Sequence, residues 1–387
     1  MNIEIIRGNE DLKSVHVRGG KLLETSVSSD ADGSFFHYSI YDPEKETASE
    51  IAPEIKKYSF IPAVNCIWKS ETVYFASYEQ LEGTDIIISL YAYDVAAGKT
   101  EKVTEFEEKK NLITNIRRSI NIFVLTESLI LVQTEHQKRF DVEGLMGNIE
   151  FSQFTINLNT QVRTDVKDIN LINNGVNSII PVSENYIMLK TGFSFLEDER
   201  LVGKSENEAL IESVYYGTMS EFIANLPLEN SANSSMLLAV AYYDRIITSP
   251  KMADDHIFFT VIDHRNRTGE SIFFNFATGE TIKCQTIGTD TGDADAACVI
   301  DGTLFIRRNL EGRTEFIDAR TSLVDCTFEG EDFVGSLGRL LFFSRVKGRR
   351  KLLRAYRFPR LDLVFEEEGR YLAGCISPAG YHIYLTD

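Results

Sequence analysis

The chain repeats one local device seven times. A strand rich in aromatic and aliphatic residues enters a short polar turn, and a second strand leaves it. The device reads SIYDPEKE around Asp42, YAYDVAAGKTEKV around Asp94, TINLNTQVRTDV around Asn159 and VYYGTMSEFIANL around Gly217. It returns as FNFATGETIKC around Ala277, EFIDARTSLVDC around Asp318 and RAYRFPRLDLVF around Arg357. Successive anchors lie roughly 40 to 65 residues apart, the spacing of arrays whose unit is a small sheet. One such unit cannot bury both faces of its sheet, so the units must stack on one another.

Between the hairpins runs a second pattern, an apolar strand, a polar turn and another apolar strand. PAVNCIWKSETVYFASY, INIFVLTESLILVQTE and FVGSLGRLLFFSR are examples. Short runs rich in β-branched and aromatic residues, bounded by turn residues, favour strand over helix. One such pair plus one hairpin makes a four-stranded antiparallel sheet, the blade of a β-propeller. The all-β reading is a single propeller domain over residues 1–387. Seven blades fall at about 12–51, 58–106, 113–167, 176–227, 240–285, 294–328 and 333–367. Residues 371–387 form a half unit of two strands, and the extra strand Asn2–Ile6 is expected to pair with it. That gives eight blades, the last completed by both termini, which removes exposed edges. The count is seven if the half unit joins the first blade instead. Stretches near 136–150, 194–212 and 228–240 break the rhythm and read as loop insertions, the second with a helical turn. Loops on a rigid β scaffold often carry function.

Two segments have a more particular look. TSPKMADDHIFFTV near Pro250 and CISPAGYHIYLTD near Pro378 are similar to the strand pair of Tol-type and prolyl-oligopeptidase-type propellers. Both depart from that pattern, with Lys251-Met252-Ala253-Asp254 after the first proline and Ala379 where Asp is usual. No Trp-Asp strand ending and no GxSxG nucleophile elbow occurs, so the resemblance implies architecture and no catalytic residues.

Charge narrows the partners. With 58 acidic against 40 basic residues, the formal net charge is -18. Such a chain repels nucleic-acid backbones and anionic membranes, so neither is an expected partner. The five cysteines, Cys66, Cys284, Cys298, Cys326 and Cys375, are scattered, without a CxxC pair or a Cys/His cluster. That argues against a structural zinc site. The start MNIEIIRGNEDLK lacks a basic segment followed by an apolar one, and no run reaches bilayer length. The expected location is the cytoplasm.

Three groups of residues could carry chemistry. Asp290, Asp293 and Asp295 in IGTDTGDADAA put carboxylates on a glycine-containing connection, the donor type Ca²⁺ takes, and Asp30 and Asp32 repeat the idea in SSDADGS. The spacing fits no EF-hand loop, so no cofactor is expected, with Ca²⁺ the one candidate ion. Among six histidines, His136 and His264 look loop-borne, and Asp263 beside His264 could support general acid–base work. Neighbours on an extended strand point opposite ways, however, so Asp263 need not reach His264. Lastly, Arg117, Arg118, Arg200, Arg265, Arg267, Arg307 and Arg308 stand out against the acidic background. Guanidinium groups bind carboxylate and phosphate bidentately, so several meeting at one mouth would make a site for an anionic ligand or acidic peptide.

Two functions follow from these features. The first is a non-enzymatic scaffold that presents loops around a central channel to a peptide, a protein or another anionic ligand. The second is an enzyme with an axial pocket, a lactonase-like hydrolase or a lyase, with or without a bound metal. Fold alone does not separate them.

Overall fold

A computed structural model describes residues 2–8, 12–18, 20–31, 33–56, 67–69, 71–80, 85–109, 120–137, 149–166, 174–182, 184–193, 210–224, 236–242, 245–248, 250–253, 255–263, 265–287, 297–310, 312–348, 350–377 and 380–386. The fold is an eight-bladed β-propeller, with each blade one sheet. After β1 (Ile3–Arg7), blade one holds β2 (Leu12–Arg18), β3 (Lys21–Asp30), β4 (Gly33–Asp42) and β5 (Thr47–Glu50). Blade two holds β6 (Ile67–Lys69), β7 (Thr72–Gln80), β8 (Asp85–Asp94) and β9 (Lys99–Lys109). Blade three holds β10 (Ile120–Thr126), β11 (Leu129–Gln137), β12 (Ile149–Asn157) and β13 (Arg163–Asp165). Blade four holds β14 (Asn174–Val182), β15 (Asn185–Phe193), β16 (Leu210–Thr218), the helix α1 (Met219–Ala224) and β17 (Met236–Tyr242).

Blade five has β18 (Arg245–Ile247) and β19 (Lys251–Ala253), both paired with β20 (His256–Asp263), then β21 (Thr268–Asn275) and β22 (Thr281–Ile287). Blade six holds β23 (Ala297–Ile300), β24 (Thr303–Leu310), β25 (Arg313–Asp318) and β26 (Val324–Glu329). Blade seven holds β27 (Asp332–Leu337), β28 (Leu340–Lys347), β29 (Arg350–Arg357) and β30 (Asp362–Glu368). Blade eight is β31 (Arg370–Ser377) and β32 (Gly380–Thr386), completed by β1.

The chain divides into two compact units. One contains Met1–Val27, His37–Glu50 and Arg245–Asp387, and the other Ser28–Phe36 and Ile51–Asp244. Within each, apolar side chains from facing sheets interlock. In the second unit, Ile88, Leu90 and Phe106 meet Ile122, Ile130, Val132 and Phe154 between blades two and three. In the first, Phe305 and Phe316 meet Leu341 and Phe343 between blades six and seven.

The repeated hairpin is a five-residue turn with one chemistry. Asp94 Oδ1 accepts the backbone N–H of Ala96 and Ala97, both at 2.8 Å, and Gly98 N–H returns to the Asp94 carbonyl at 2.9 Å. Asn157, Asn275 and Asp318 do the same in blades three, five and six. The fifth residue is left-handed in six blades: Glu46, Gly98, Gln161, Gly279, Ser322 and Leu361 have φ between 52° and 75°. Asp and Asn suit the first position because their short side chains mimic a backbone acceptor. In the third blade the turn is anchored by Asn157, two residues before the sequence anchor.

Blade four departs from the repeat. Thr218 stands where the turn would begin, and its Oγ1 accepts Glu221 N–H at 3.3 Å while donating to Glu221 Oε2 at 2.7 Å. Thr218 is thus the N-cap of α1, so the chain enters a helix instead of a tight hairpin. Phe222 of α1 packs on Tyr186, with ring centroids 4.8 Å apart. The last strand of the blade therefore arrives late, as Met236–Tyr242. The boundary expected at residue 227 moves to 242. Of the expected insertions, residues 138–148, 194–209 and 228–235 lie outside the described residues.

The eighth blade closes with the N-terminus. β1 runs parallel to β32, from Ile3 opposite Tyr381 to Arg7 opposite Leu385. Ile3 and Ile5 pack with Ile383 and Leu385 on Leu340 and Phe342 of blade seven. Arg7 donates to the Glu368 carbonyl at 2.9 Å and pairs with Glu367 at 3.1 Å. On the other side, Tyr384 Oη donates to Glu24 of blade one, whose second oxygen accepts Ser39 Oγ at 2.9 Å. Gly380 makes the seam possible. Its φ is +140°, and a Cβ there would strike the Asn2 carbonyl oxygen. Gly279, at φ +75°, has nothing within 4 Å of its would-be Cβ. We expect Gly380→Ala to destabilise the protein by about 1–3 kcal/mol through this collision. Gly279→Ala should cost only the conformational part, about 1 kcal/mol. Urea denaturation of the two variants checks the order, and equal losses would show that the seam is not under close contact.

Candidate functional site

Strand β24 carries Arg307 and Arg308, and consecutive strand residues face opposite ways. Arg307 is 6% exposed. Its guanidinium lies 5.4 Å from the Phe333 ring centroid, and Nη1 donates to the Phe333 carbonyl at 3.4 Å. Arg308 stands opposite Glu315 of β25 in the antiparallel register. Its Nε donates to Glu315 Oε2 at 2.8 Å, and Arg313 pairs with the other oxygen at 3.0 Å. Directly opposed unlike charges stabilise a sheet.

Blade seven repeats the arrangement. Arg354 of β29 faces Glu366 of β30 in register, with Nε 2.5 Å from Glu366 Oε2. Its Nη1 also reaches Glu331 Oε1 at 2.6 Å, and Tyr356 Oη donates to the same oxygen at 3.0 Å. Glu331 precedes β27, and its carbonyl accepts Thr314 Oγ1 of blade six at 3.4 Å. Hydrogen bonds from Arg354 to Glu331 and then to Glu366 hold the guanidinium more firmly protonated than usual. Burial, followed by the hydrogen bond with Glu331, raises the Tyr356 phenol. Both arginine pairs therefore tie strands within blades six and seven, and Glu331 ties the two blades together.

Asp263 ends β20 and is buried. Its Oδ1 accepts Asn266 N–H at 2.9 Å, and Oδ2 accepts the Asn266 side chain at 3.0 Å and Arg245 Nε at 3.1 Å. The Asn266 backbone bond is the main force holding this carboxyl below the ordinary carboxylate range; the Asn266 side chain and Arg245 add to it, against the opposing effect of burial. A carboxylate so engaged acts as the clasp of the β20–β21 turn. On that same turn Arg265 and Arg267 are exposed.

The remaining nominated residues divide simply. Arg117, Arg118, Arg200, His264, Asp290, Asp293 and Asp295 lie outside the described residues, as does Asp32. His136 falls on β11 opposite Glu150 of β12. Among the described arginines, Arg307 and Arg308 belong to β24 of blade six, and Arg265 and Arg267 to the β20–β21 turn of blade five. Among the described residues no group of three or more His, Cys, Asp or Glu is arranged to hold a metal ion, and no helix is long and apolar enough to cross a membrane. Burial, then the Asp325 carboxylate, pushes the Cys326 thiol up to about 12, so it is a poor nucleophile at neutral pH.

One surface was not foreseen in the sequence. β17, the last strand of blade four, reads MLLAVAY and contains no charged residue. Among the described strands it pairs with β16 alone. Met236 and Leu237 are each 50% exposed and Val240 36%. The last strands of the other blades all carry charge: Glu50 on β5, Lys and Glu along β9, Arg163 and Asp165 on β13. Lys283 on β22, Glu329 on β26, Glu368 on β30 and Glu4 on β1 continue the series. Charge on an edge strand discourages pairing with other chains. The signal was present as seven uninterrupted apolar residues, a run that suits a strand.

No protein-family model matches the chain, and no curated protein matches it. Solved structures share its fold. Porphyromonas gingivalis dipeptidyl peptidase 4 matches with a TM-score of 0.51 at 9% identity, over 95% of this chain and 56% of that one. This chain thus spans little more than half the length of that peptidase. The Dos1 propeller matches with a TM-score of 0.47 at 10% identity, over 95% of this chain and 88% of that one. An oligogalacturonate lyase in complex with manganese matches with a TM-score of 0.46 at 9% identity, over 89% and 87%. At such identities the likeness concerns architecture, and function must be argued from the site.

The Asp263 clasp has a pH signature. Its folded-state pKa is depressed, so its stabilisation is complete above the ordinary Asp value of about 4 and fades as pH falls through the lower folded value. Asp263→Asn should lose about 1–2 kcal/mol at pH 7 and converge on wild type in acid. Urea midpoints measured across this range check it; a constant gap at every pH would mean that the carboxylate charge plays no part.

Proposed function

We propose that the protein is a non-enzymatic interaction scaffold that holds a protein or peptide partner on the surfaces its blades present. The observation that carries this reading is β17, an exposed and uncharged edge strand in a protein whose other closing strands are charged. Such an edge offers a row of backbone donors and acceptors beside apolar side chains, the raw material of strand addition. The arginines add a second element. Arg267 is exposed on the β20–β21 turn and suits a carboxylate or phosphate on the partner, whereas Arg307 packs on Phe333 of blade seven and Arg308 pairs with Glu315 within blade six. The thiols Cys284, Cys326 and Cys375 fit a reducing compartment, and we place the protein in the cytoplasm.

Tagged protein captured from its native cells at several salt concentrations, with metal analysis of the same preparation, tests the reading. The expected result is one protein partner recovered in near-stoichiometric amount, with capture unchanged by a chelator. A preparation that repeatedly yields no partner, yet carries a stoichiometric divalent ion and turns over a lactone or uronate substrate, would replace the scaffold with an enzyme.

A further inference from the structure

We infer that the free edge of β17 receives an extended, lysine- or arginine-bearing segment of a partner protein, which adds to blade four as another strand. The inference rests on the scaffold reading and names the chemistry of the partner. Three observations lead to it. β17 spends one edge on β16, and no other described strand pairs with it. At about 3.4 Å per residue its seven residues offer an edge of roughly 24 Å, enough for a short extended peptide. Its exposed side chains, Met236, Leu237 and Val240, are apolar and give an incoming strand both contact area and no opposing charge.

Charge chooses the occupant. The protein carries a net charge of -18. A second copy brings the same charge and is repelled, whereas a cationic segment is drawn in and steered to the surface. The segment that fits therefore has β-branched or apolar residues in its centre and Lys or Arg at its ends. A net-acidic strand of the same core would meet the whole protein's field without compensation.

The test uses the full chain and three synthetic peptides with one alternating Val-Thr core. One peptide is flanked by lysines, one by glutamates, and one has lysine flanks with prolines inside the core. Fluorescence anisotropy should show saturable binding of the lysine peptide, at least about tenfold weaker binding of the glutamate peptide, and no binding of the proline peptide. Added salt should weaken the lysine peptide. Hydrogen exchange should show protection confined to Leu237–Val240. The variant Leu237→Lys with Val240→Lys alters exposed positions and should keep the wild-type urea midpoint while losing about tenfold or more in affinity. Equal binding of the lysine and glutamate peptides, or protection elsewhere, overturns the inference. So does concentration-dependent self-association of the wild type that the double Lys variant abolishes, which would make the occupant a second copy. If the double Lys variant still captures the native partner in full, the inference falls while the scaffold reading stands.

Discussion

Every β-sheet ends in strands with unpaired backbone groups, and the management of those ends organises this protein. The eighth sheet has only two strands of its own, Arg370–Ser377 and Gly380–Thr386, and would leave the second of them open. The first strand of the chain covers it in parallel, which only a strand from a distant part of the sequence can do. The register is enforced from both sides. Arg7 reaches into blade seven at Glu367 and Glu368, and Tyr384 reaches into blade one at Glu24. Burial first and the Glu24 hydrogen bond second keep the Tyr384 phenol protonated and able to donate. The extra strand thus ties the eighth blade to the seventh, and the strand it covers ties the eighth to the first.

Much of this was legible because the turns are local. Asp94, Asn275 and Asp318 each bond to residues two to four positions ahead, so the same short string predicts the same hairpin wherever it occurs. The pairing of the two termini was legible for another reason: a half unit is incomplete, and an unmatched strand was available to finish it. Blade four was misread at the point where local chemistry competes. Thr218 caps a helix by accepting Glu221 N–H, so the chain turns into a helix where its neighbours turn into a hairpin. The strand displaced by this change, Met236–Tyr242, then overlapped a stretch read as an insertion.

The roles of the arginines were hidden in the sequence because strand pairing decides them. Arg308 and Glu315 are separated by a turn, and Arg354 and Glu366 by another; only the register sets each pair face to face. Glu331 is further removed, since it joins Arg354 and Tyr356 from the connection between two blades. A basic pair in an acidic chain looks available when read linearly. In three dimensions Arg307 is stacked on an aromatic ring and Arg308 is neutralised by its neighbour. A buried or half-buried guanidinium with a carboxylate partner holds strands in place, and removing either member would strand the other's charge.

The same logic gives β17 its weight. Charged side chains on closing strands keep a soluble sheet protein from pairing with unintended chains, and they are distributed along this sequence blade after blade. An uncharged closing strand relinquishes that protection at one place. The protein's overall charge partly restores it, because long-range repulsion acts on copies of itself and on other acidic proteins alike. It does not act on a cationic segment. Selectivity at this edge can therefore arise without a pocket or a dedicated side chain: the backbone supplies the bonds, the apolar face supplies contact, and the field of the whole molecule decides which strands come close enough to use them.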